Sequence, residues 1–493
     1  MRLRLAQYSR QIKSVVNIYK IGDGVCFLFE NPLTAGARRN VLKISFLTLG
    51  CKVNLYETEK MKKMFENAGH AIVPFDEEAD VYIINTCTVT NIADRKSRKM
   101  LHRARRLNPR AIVVAAGCYA DSAKGRGEED ESIDLFILNK DKKKVVEIVC
   151  EEFERRNCVI NDKDIISGVD GGESTAGQER TRAFIKIQDG CNQYCTYCII
   201  PYVRGRLKSR SIEEILPEIE ALAGDGHKEI VITGIHVSSY GVDDKDAGGF
   251  IKLGGRPLVM LLERINQVEG IERIRLSSLE PRIISEDFVK SLSNITKLCP
   301  HFHLSLQSGC DTVLKRMNRH YSVEEYLDKL QILRKYFVNP AVTTDIIVGF
   351  PGETQEEFNE TCEFVLRAGF SKIHVFKYSR RKGTIADGMD NQIEESVKSE
   401  RSDKLIKIQK ELEKKYKKAA LKGIEEVLIE EVTMIEEKKY FIGYNERYIR
   451  IAVCAEGFSE TQKICNMIAS VHVTGNLTDE IVLGEFVHYS EIV

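Results

Sequence analysis

The sequence predicts an α/β protein with an N-terminal parallel-sheet domain, a central partial (β/α)6 barrel and a small C-terminal antiparallel β-barrel. Its 493 residues leave room for about two to four domains. Between residues 43 and 376, short apolar runs alternate with charged stretches of helical periodicity, which is typical of βα units on a parallel sheet. After residue 424 five short β-prone runs follow one another with polar turns, which is typical of a small antiparallel barrel.

The parallel-sheet domain is predicted to span residues 43–158, after an N-terminal extension of residues 1–42. Its β-prone runs lie at residues 44–49, 81–84, 112–116 and 135–138. The extension carries no acid in its first 22 residues and five basic residues, Arg2, Arg4, Arg10, Lys13 and Lys20. A transit peptide shares that composition, but the compact apolar core and cleavage site of a secretory signal are missing. A non-targeting extension is therefore the favoured interpretation.

Residues 159–180 are polar and rich in glycine, which predicts a linker before the central domain at 181–400. Six β-prone runs are predicted to form its partial barrel, at residues 184–187, 229–233, 274–276, 303–306, 344–348 and 372–376. Helices are predicted between them, at residues 211–224, 258–268, 286–296, 323–337 and 355–368. A highly charged segment at 401–423 predicts a connecting helix, which leads to the terminal barrel at 424–493.

Composition narrows the possible classes of function. Lysine plus arginine and aspartate plus glutamate both number 73, so the formal net charge is zero. This balance excludes nucleic-acid binding through bulk charge but leaves room for a local basic face. The 14 cysteines are too few for a disulfide scaffold, and no apolar run reaches the ~18–20 residues of a membrane span. We expect a soluble cytoplasmic protein, with no membrane partner, whose cysteines act as ligands or nucleophiles.

The strongest local pattern is the set Cys191, Cys195 and Cys198, here called the radical triad, with three and then two residues between its members. Three thiolates on one loop can hold an iron–sulfur cluster and leave one iron open for an exogenous ligand. A structural zinc site would need a fourth protein ligand, and none follows nearby in the sequence. A zinc knuckle completed from elsewhere in the chain is the alternative interpretation.

Three further cysteines, Cys51, Cys87 and Cys118, each follow a predicted strand of the first domain and are here called the auxiliary triad. The carboxyl ends of parallel strands share one edge of a sheet, where ligands gather. The placement therefore predicts a second cluster with an open iron. Taken singly, a cysteine after a strand is more often a small core residue.

Both triads stand in segments that resemble the radical S-adenosylmethionine methylthiotransferases. An aromatic residue, Tyr197, precedes the last cysteine of the radical triad, as in the fingerprint of radical S-adenosylmethionine enzymes. The resemblance runs from residue 43 to residue 493 and ends in a β-barrel of the TRAM type. The segments that carry it include TLGCKVNLYETE (48–59), NTCTVTNIADRKSRK (85–99), AAGCYA (115–120), IKIQDGCNQYCTYCIIPYVRGRLKSR (185–210), FHLSLQSGCDTVLKRMNRHY (302–321), TTDIIVGFPGET (343–354) and HVFKYSRRKGT (374–384).

The resemblance implies two [4Fe–4S] clusters and S-adenosylmethionine as cofactors. The cluster on the radical triad would cleave S-adenosylmethionine to a 5′-deoxyadenosyl radical with one electron from an external reductant. The cluster on the auxiliary triad would hold and donate sulfur, whose original donor is left unassigned. Four more residues are predicted to bind the cofactor: Tyr197, Gly349, Gln307 and Ser238. The alternative to cofactor binding is ordinary strand packing at Gly349. At the polar strand ends the alternative is a polar side chain whose hydrogen bonds are satisfied within the protein.

Within that family the strings CKVN (51–54), NTCTVT (85–90) and HVSSYG (236–241) resemble the MtaB branch. Members of this branch add a methylthio group to carbon 2 of N6-threonylcarbamoyladenosine at position 37 of tRNA. Sister branches act on isopentenyladenosine in tRNA or on an aspartate of a ribosomal protein, and both substrates remain alternatives. A pure RNA-binding or scaffold protein would need neither triad.

A tRNA substrate requires a basic surface, and residues 95–110 contain no acid. Six cations near the triads or in the terminal barrel are predicted to contact RNA phosphates: Arg95, Lys96, Arg98, Arg204, Arg206 and Arg447. Two tyrosines of the terminal barrel are predicted to stack on RNA bases, Tyr444 and Tyr448. The ordinary alternative for such a charge run is a solvated face.

Overall fold

A computed structural model describes residues 16–21, 24–29, 41–160, 181–242, 253–421, 423–458 and 464–487. Within the predicted extension, β1 (Val16–Ile21) and β2 (Gly24–Phe29) pair as an antiparallel hairpin. The rest of that extension up to residue 40, where the targeting question falls, lies outside the described residues. So does most of the predicted linker, residues 161–180.

The N-terminal domain is a five-stranded parallel sheet with helices on both faces. Its strand order is β4-β3-β5-β6-β7, formed by β3 (Lys43–Thr48), β4 (Ala71–Val73), β5 (Val81–Thr86), β6 (Ile112–Gly117) and β7 (Leu135–Ile137). The helices are α1 (Lys52–Asn67), α2 (Asn91–Leu107), α3 (Cys118–Gly125) and α4 (Val145–Ile160). The central strands β5 and β6 are buried along their whole length, because an apolar core covers each face of the sheet.

The central domain is a partial barrel of six parallel strands: β8 (Arg182–Asp189), β10 (Glu229–Gly234), β11 (Arg273–Leu276), β12 (His301–His303), β13 (Ala341–Val348) and β14 (Lys372–Lys377). A short strand, β9 (Lys208–Ser209), pairs antiparallel with β8. Isolated parallel bridges join the two halves of the barrel between β11 and β12. The surrounding helices are α5 (Ile200–Arg204), α6 (Ile212–Gly224), α7 (Arg256–Asn266), α8 (Glu286–Ser293), α9 (Asp311–Arg316), α10 (Val323–Tyr336) and α11 (Gln355–Ala368).

Strand β8 shows how the barrel separates its two faces. Ala183, Ile185 and Ile187 are buried in the apolar core that the strands share with the surrounding helices. Because side chains alternate along a strand, Arg182 and Lys186 point to the opposite side, into the barrel. The barrel interior therefore carries charged groups, which is unlike a purely structural core.

A long helix, α12 (Glu395–Ala420), leads into the terminal barrel and begins earlier than the charged segment that predicted it. Five strands close that barrel in the order β15-β16-β17-β19-β18: β15 (Ile424–Ile435), β16 (Lys438–Asn445), β17 (Arg450–Cys454), β18 (Ile468–Asn476) and β19 (Val482–Phe486). The expectation of a wholly antiparallel barrel is wrong at one pairing, since β17 and β19 run parallel. None of the described helices is both long enough and apolar enough to cross a bilayer.

The terminal barrel packs against the amino ends of the central strands. Arg275 donates to the backbone carbonyls of Glu446 and Asn445 at 2.8 and 3.3 Å, and its guanidinium lies 4.8 Å from the ring centre of Tyr448. Arg182 pairs with Glu430 at 2.6 Å. These buried contacts close the floor of the central barrel.

Candidate active site

The auxiliary triad lies at the carboxyl edge of the N-terminal sheet, as its position after three strands predicts. Cys51 caps the amino end of α1, Cys87 follows β5, and Cys118 opens α3. A Cβ on Gly50, whose φ is +109°, would lie 2.7 Å from the Cβ of Cys87. Only glycine therefore allows the loop that carries Cys51 to run against Cys87.

The radical triad lies on the loop after β8. The amide of Cys198 donates to the carbonyl of Cys195 at 3.0 Å, and the amide of Cys191 donates to the carbonyl of Gly205 at 3.2 Å. Thr196 anchors the loop to the end of α9, because its hydroxyl donates to the carbonyl of Arg316 at 2.9 Å. These contacts fix the loop that carries the three thiols.

Each triad has a buried arginine on one of its thiols, and neither arginine was predicted to lie there. The Nε of Arg204 lies 3.2 Å from the Sγ of Cys118, and Nη1 of Arg319 lies 3.4 Å from the Sγ of Cys195. The Arg204 side chain is only 1% exposed. The prediction that Arg204 binds RNA phosphate is therefore wrong, because its guanidinium points inward and is fully engaged.

Arg204 belongs to a buried charge network between the N-terminal domain and the barrel. Its Nη1 lies 2.9 Å from Glu57 and 3.1 Å from Asp189, and Lys186 also pairs with Glu57 at 2.7 Å. Lys142 completes the network on the other carboxylate oxygen of Glu57. Burial alone raises the pKa of Glu57, but the charges of Lys142, Arg204 and Lys186 hold it well below its usual value. The network therefore ties the two domains together.

The chemistry of the donor set tests whether a cluster fits. Burial raises the pKa of Cys191 to about 12 and that of Cys87 to about 11, and it also raises the pKa of Cys118 and Cys198. Buried thiols of this kind are deprotonated when they bind a metal centre of high positive charge. The grouped thiols and their two arginine donors therefore fit a metal-bound thiolate set.

The spacing of the thiols also separates a cluster from a single ion. A tetrahedral zinc site places its thiolate sulfurs about 3.8 Å apart, given a zinc–sulfur distance of about 2.3 Å. Of the residues described, one set of three potential ligands lies within 4.8 Å of one another, and it consists of His303, Asp345 and His374. Neither cysteine triad of the described chain meets that limit, and three thiols with no fourth protein ligand are the set that an iron–sulfur cluster with one open iron uses.

The four residues predicted to bind the cofactor line the carboxyl end of the barrel or the triad loop. Tyr197 packs edge-on against Phe350, with ring centres 6.4 Å apart. Gln307 has a φ of +76°, and its backbone amide donates to the backbone carbonyl of Asp345 at 2.8 Å. The buried hydroxyl of Ser238 accepts a hydrogen bond from the amide of Glu280 at 2.8 Å.

Gly349 ends β13 in the left-handed region, at a φ of +71°, and a Cβ there would lie 2.3 Å from the Cγ of Lys398 on α12. This close approach explains the glycine by packing. Its contact with the cofactor stays a prediction.

Glu280 forms a second charged group at the barrel mouth. His236 lies 3.1 Å from one oxygen of its carboxylate, and Nη2 of Arg282 donates to the same oxygen at 2.8 Å. Arg282 also donates to the side chain of Gln193, within the radical-triad loop, at 2.8 Å. Burial alone raises the pKa of Glu280, but the hydrogen bonds from His236 and Arg282 bring it to about 2.

The cations predicted to contact RNA fall into two groups. Arg95, Lys96 and Arg98 are exposed on α2, and Arg206 is exposed after the radical triad. Arg447 instead lies against the central domain, where its Nε donates to the carbonyl of Asn339 at 3.2 Å. Binding of RNA by Arg447 stays a prediction.

The two tyrosines predicted to stack on RNA also serve the domain contact. Tyr444 and Tyr448 stack on each other, with ring centres 4.7 Å apart, and Arg182 lies over both rings. Two aromatic residues that the sequence did not single out, Tyr194 and Tyr202, are 43% and 56% exposed beside the radical triad. The sequence signal that could have identified them is an aromatic residue within or shortly after the loop that carries the radical triad.

A cleft next to both triads completes the site. It lies between α2, α3 and the segment after β14, and its charged lining consists of four cations and two acids: Arg98, Arg126, Arg381, Lys382, Asp94 and Glu128. Arg381 crosses the cleft, because its Nη1 pairs with Asp94 at 2.6 Å. Arg126 pairs with Glu128 at 2.7 Å, so Arg98 and Lys382 are the excess cations that make the cleft attractive to an anionic ligand.

Two models of known protein families match the two parts of the chain that carry the cysteine triads. Residues 185–365 match the model of the Radical SAM superfamily, and residues 43–137 match a family described as uncharacterized protein family UPF0004. The first match contains the radical triad and most strands of the partial barrel. The second contains the whole auxiliary triad.

Over 433 residues the chain is 40% identical to the threonylcarbamoyladenosine tRNA methylthiotransferase MtaB of Bacillus subtilis (strain 168), covering 87% of this chain and 93% of that protein. The chain belongs to the radical S-adenosylmethionine methylthiotransferase family. It is also 36% identical over 433 residues to a tRNA-2-methylthio-N(6)-dimethylallyladenosine synthase of Caldicellulosiruptor saccharolyticus, covering 86% of each protein. The predicted family is thereby confirmed.

A solved structure supports the fold of this family member. The radical S-adenosylmethionine methyltransferase TsrM from Kitasatospora setae superposes with a TM-score of 0.50 at 14% sequence identity, covering 70% of this chain and 77% of that one. At this identity the likeness concerns the fold alone. As a radical S-adenosylmethionine methylthiotransferase, the chain is a transferase that uses a [4Fe–4S] cluster and S-adenosylmethionine.

Proposed function

We propose that this chain adds a methylthio group to carbon 2 of N6-threonylcarbamoyladenosine at position 37 of tRNA. The observation that carries the proposal is the 40% identity, over nearly the whole chain, to a relative named for that substrate. The two cysteine triads support it, because adding sulfur and a methyl group to an unreactive ring carbon requires both radical chemistry and a sulfur source.

The radical triad of Cys191, Cys195 and Cys198 would hold one [4Fe–4S] cluster, and the auxiliary triad of Cys51, Cys87 and Cys118 would hold a second. With S-adenosylmethionine, the first supplies radical chemistry at the ring carbon, and the second supplies sulfur. Each set offers three thiols and so leaves one iron without a protein ligand.

The surrounding residues of this chain would tune and shield these sites. Arg204 and Arg319 donate to Cys118 and Cys195, which stabilises the thiolate form of each sulfur. Tyr197 and Phe350 close one side of the radical triad with apolar rings and so exclude water. Gln307, Ser238 and Gly349 remain our candidates for contact with S-adenosylmethionine at the barrel mouth.

The exposed cations of α2 would bind the tRNA backbone. Arg95, Lys96 and Arg98 share this helix, and Arg98 continues into the basic cleft beside both triads. Arg206 adds a charge on the other side of the radical triad. The exposed rings of Tyr194 and Tyr202 lie 6.2 Å apart, edge to face, where they could stack on bases of the anticodon loop.

The test is nucleoside mass spectrometry on a defined reaction. The chain is reconstituted anaerobically with iron and sulfide, then incubated with S-adenosylmethionine, an external one-electron reductant and tRNA that carries N6-threonylcarbamoyladenosine. We expect the 2-methylthio form of that nucleoside. The matched control is the same tRNA with unmodified adenosine at position 37, which should yield much less product.

The sister substrate, dimethylallyladenosine in tRNA, is the second candidate. It is favoured by the 36% identity to a relative named for that reaction. The same assay on tRNA carrying dimethylallyladenosine separates the two. Methylthiolation of this tRNA in preference to the threonylcarbamoyl form would contradict our proposal.

A further inference from the structure

One segment of the central domain contacts the loops of both triads. It is residues 378–387, here called the bridge segment, and it follows β14 in the chain. Its first residue, Tyr378, is fixed to the barrel, because its amide donates to the carbonyl of Val348 at 2.9 Å. The proposed chemistry does not yet use the contacts that this segment makes.

The bridge segment meets the loop that carries Cys87 through one buried arginine. The Nε of Arg381 donates to the carbonyl of Val89, two residues after Cys87, at 3.2 Å. Nη1 of Arg381 also pairs with Asp94 in the first turn of α2 at 2.6 Å, and the Arg381 side chain is only 7% exposed. One guanidinium of the central domain therefore contacts both the Cys87 loop and the helix that follows it.

The start of α2 is attached to the bridge segment by a second contact. The amide of Asn91, the first residue of α2, donates to the hydroxyl of Ser379 at 3.0 Å. Amides in the first turn of a helix have no acceptor within the helix itself. A hydroxyl of the central domain therefore satisfies a donor of the N-terminal domain.

The other end of the bridge segment meets the radical-triad loop. The amide of Ala386 donates to the carbonyl of Thr196, which lies between the second and third cysteines of that triad, at 2.8 Å. Ala386 is buried in a small apolar cluster with Phe350 and Tyr378, and Tyr197 packs against it. The bridge segment is therefore bonded to the loops of both triads.

The turn between these two ends is held by its own hydrogen bonds. Thr384 donates to the carbonyl of Arg381 with its amide at 3.0 Å and with its hydroxyl at 2.7 Å. Arg380 donates to the carboxylate and to the carbonyl of Asp387, at 3.0 and 2.8 Å. These bonds give the spacer between the two loops one defined shape.

The bridge segment attaches the N-terminal domain at a second place. Arg204 attaches that domain at Cys118, whereas Arg381 attaches it beside Cys87. A single attachment leaves two bodies free to rotate about it. Attachments beside two different members of the auxiliary triad remove that rotation.

We propose that Arg381 is a positioning residue, which holds the Cys87 loop at a fixed place relative to the radical-triad loop through the bridge segment. This inference rests on the proposed function, in which one site supplies radical chemistry and the other supplies sulfur to the same ring carbon. A displacement of about 1 Å between reacting groups can lower a rate about a hundredfold. The distance between the two sites must therefore be held constant while both act on that carbon.

The first experiment compares two products of one reaction, run with tRNA that carries N6-threonylcarbamoyladenosine. Formation of 5′-deoxyadenosine needs the radical triad alone, whereas the 2-methylthio nucleoside needs both sites in register. For Arg381→Gln we expect 5′-deoxyadenosine to stay within about twofold of wild type and the methylthio product to fall about tenfold or more. A merely structural role would lower both products together.

The second experiment measures position without turnover. Hydrogen–deuterium exchange of the Asn91 amide is followed in the cluster-loaded protein without RNA, by mass spectrometry of the peptide that spans the start of α2. We expect faster exchange in Arg381→Gln, because the helix start is then held less firmly against Ser379. Iron content and melting temperature are measured for every variant.

Two further variants complete the design. Arg367→Gln removes a surface arginine of the same domain that pairs with Glu324, and it should leave both the product ratio and the exchange unchanged. Ser379→Ala removes only the hydroxyl that receives the Asn91 amide and keeps every charge. It should shift exchange and product ratio in the same direction as Arg381→Gln, and it carries the test if Arg381→Gln does not fold.

Failure of this inference and failure of the proposed function give different results. If both products fall by the same factor in Arg381→Gln, or if exchange at Asn91 is unchanged, the assignment of Arg381 is overturned while the proposed function stands. If the wild-type chain makes no 2-methylthio nucleoside, the proposed function has failed. Exchange at Asn91 then decides by itself whether Arg381 fixes the loop.

Discussion

The Nε atom of Arg204 lies 3.2 Å from the Sγ of Cys118, so a residue of the central barrel contacts a thiol of the N-terminal domain. Arg204 follows the radical triad in sequence, whereas Cys118 belongs to the auxiliary triad. The same guanidinium pairs with Glu57 and Asp189 from both domains. One buried arginine thus links the segment after the radical triad to a thiol of the auxiliary triad.

Replacement of Arg204 should weaken both the domain contact and the auxiliary site. Arg204→Gln leaves Glu57 and Asp189 short of a buried cation, which costs about 3 kcal/mol of unfolding free energy. It also removes a donor from Cys118, so we expect less iron bound per chain. Denaturant unfolding and iron analysis measure the two effects.

Arg206→Gln is the matched control for that experiment, because Arg206 is exposed and lies only two residues further along the chain. It should retain wild-type iron content and stability. Equal losses in the two variants would show that the contact between Arg204 and Cys118 has no special role.

The two triads should fail in different ways when one cysteine of each is removed. Cys191→Ala should abolish formation of 5′-deoxyadenosine, since the radical triad is then incomplete. Cys51→Ala should leave cleavage of S-adenosylmethionine in place but stop sulfur transfer to RNA. Chromatography of 5′-deoxyadenosine and mass spectrometry of nucleosides measure the two products. Full methylthio product from Cys51→Ala would rule out two separate cluster sites.

Charge reversal on α2 should weaken tRNA binding without affecting cofactor cleavage. The triple variant Arg95→Glu, Lys96→Glu and Arg98→Glu removes three exposed cations. Each lost phosphate contact lowers the slope of log affinity against log salt by about 0.9 for duplex regions. Binding titrations at several salt concentrations measure that slope.

The control for α2 is a triple charge reversal on α12, the helix that follows the central barrel in the chain. It changes three exposed lysines to glutamate: Lys407, Lys410 and Lys414. It changes the net charge by the same amount. If both variants lose affinity equally, tRNA binding depends on overall charge and not on a surface formed by α2.

The low pKa of Glu280 predicts a pH-dependent contribution to stability. Its value falls from 4.5 to about 2 in the folded chain, a shift equivalent to about 3 kcal/mol. For a carboxylate with a depressed pKa, this stabilisation is complete above pH 4.5 and is lost as the pH falls towards 2. The difference in unfolding free energy between wild type and Glu280→Gln should therefore narrow between pH 6 and pH 3. A constant difference would contradict the ionised network around His236 and Arg282.

Much of the fold could be predicted from periodicity. Five of the six barrel strands and five of its helices were anticipated at their places, because apolar runs are local signals. The run predicted at 303–306 shares only its first residue with β12 (His301–His303), so that strand was placed too late. The three-residue β4 and the two-residue β9 were missed, since strands this short carry too few residues to show alternation. The parallel pairing of β17 with β19 depends on chain closure and has no local signature.

The sequence by itself determined the two cysteine triads, since ligand spacing and position after a strand are properties of the chain. It could not determine the partners of the cations. Nothing in the sequence distinguishes Arg204, Arg206 and Arg447. In the structure Arg204 is buried against a cysteine, Arg206 is exposed, and Arg447 packs against the central domain. The tertiary structure decided this, because the free energy of a charge depends on which distant carboxylates, thiols and carbonyls the fold brings around it.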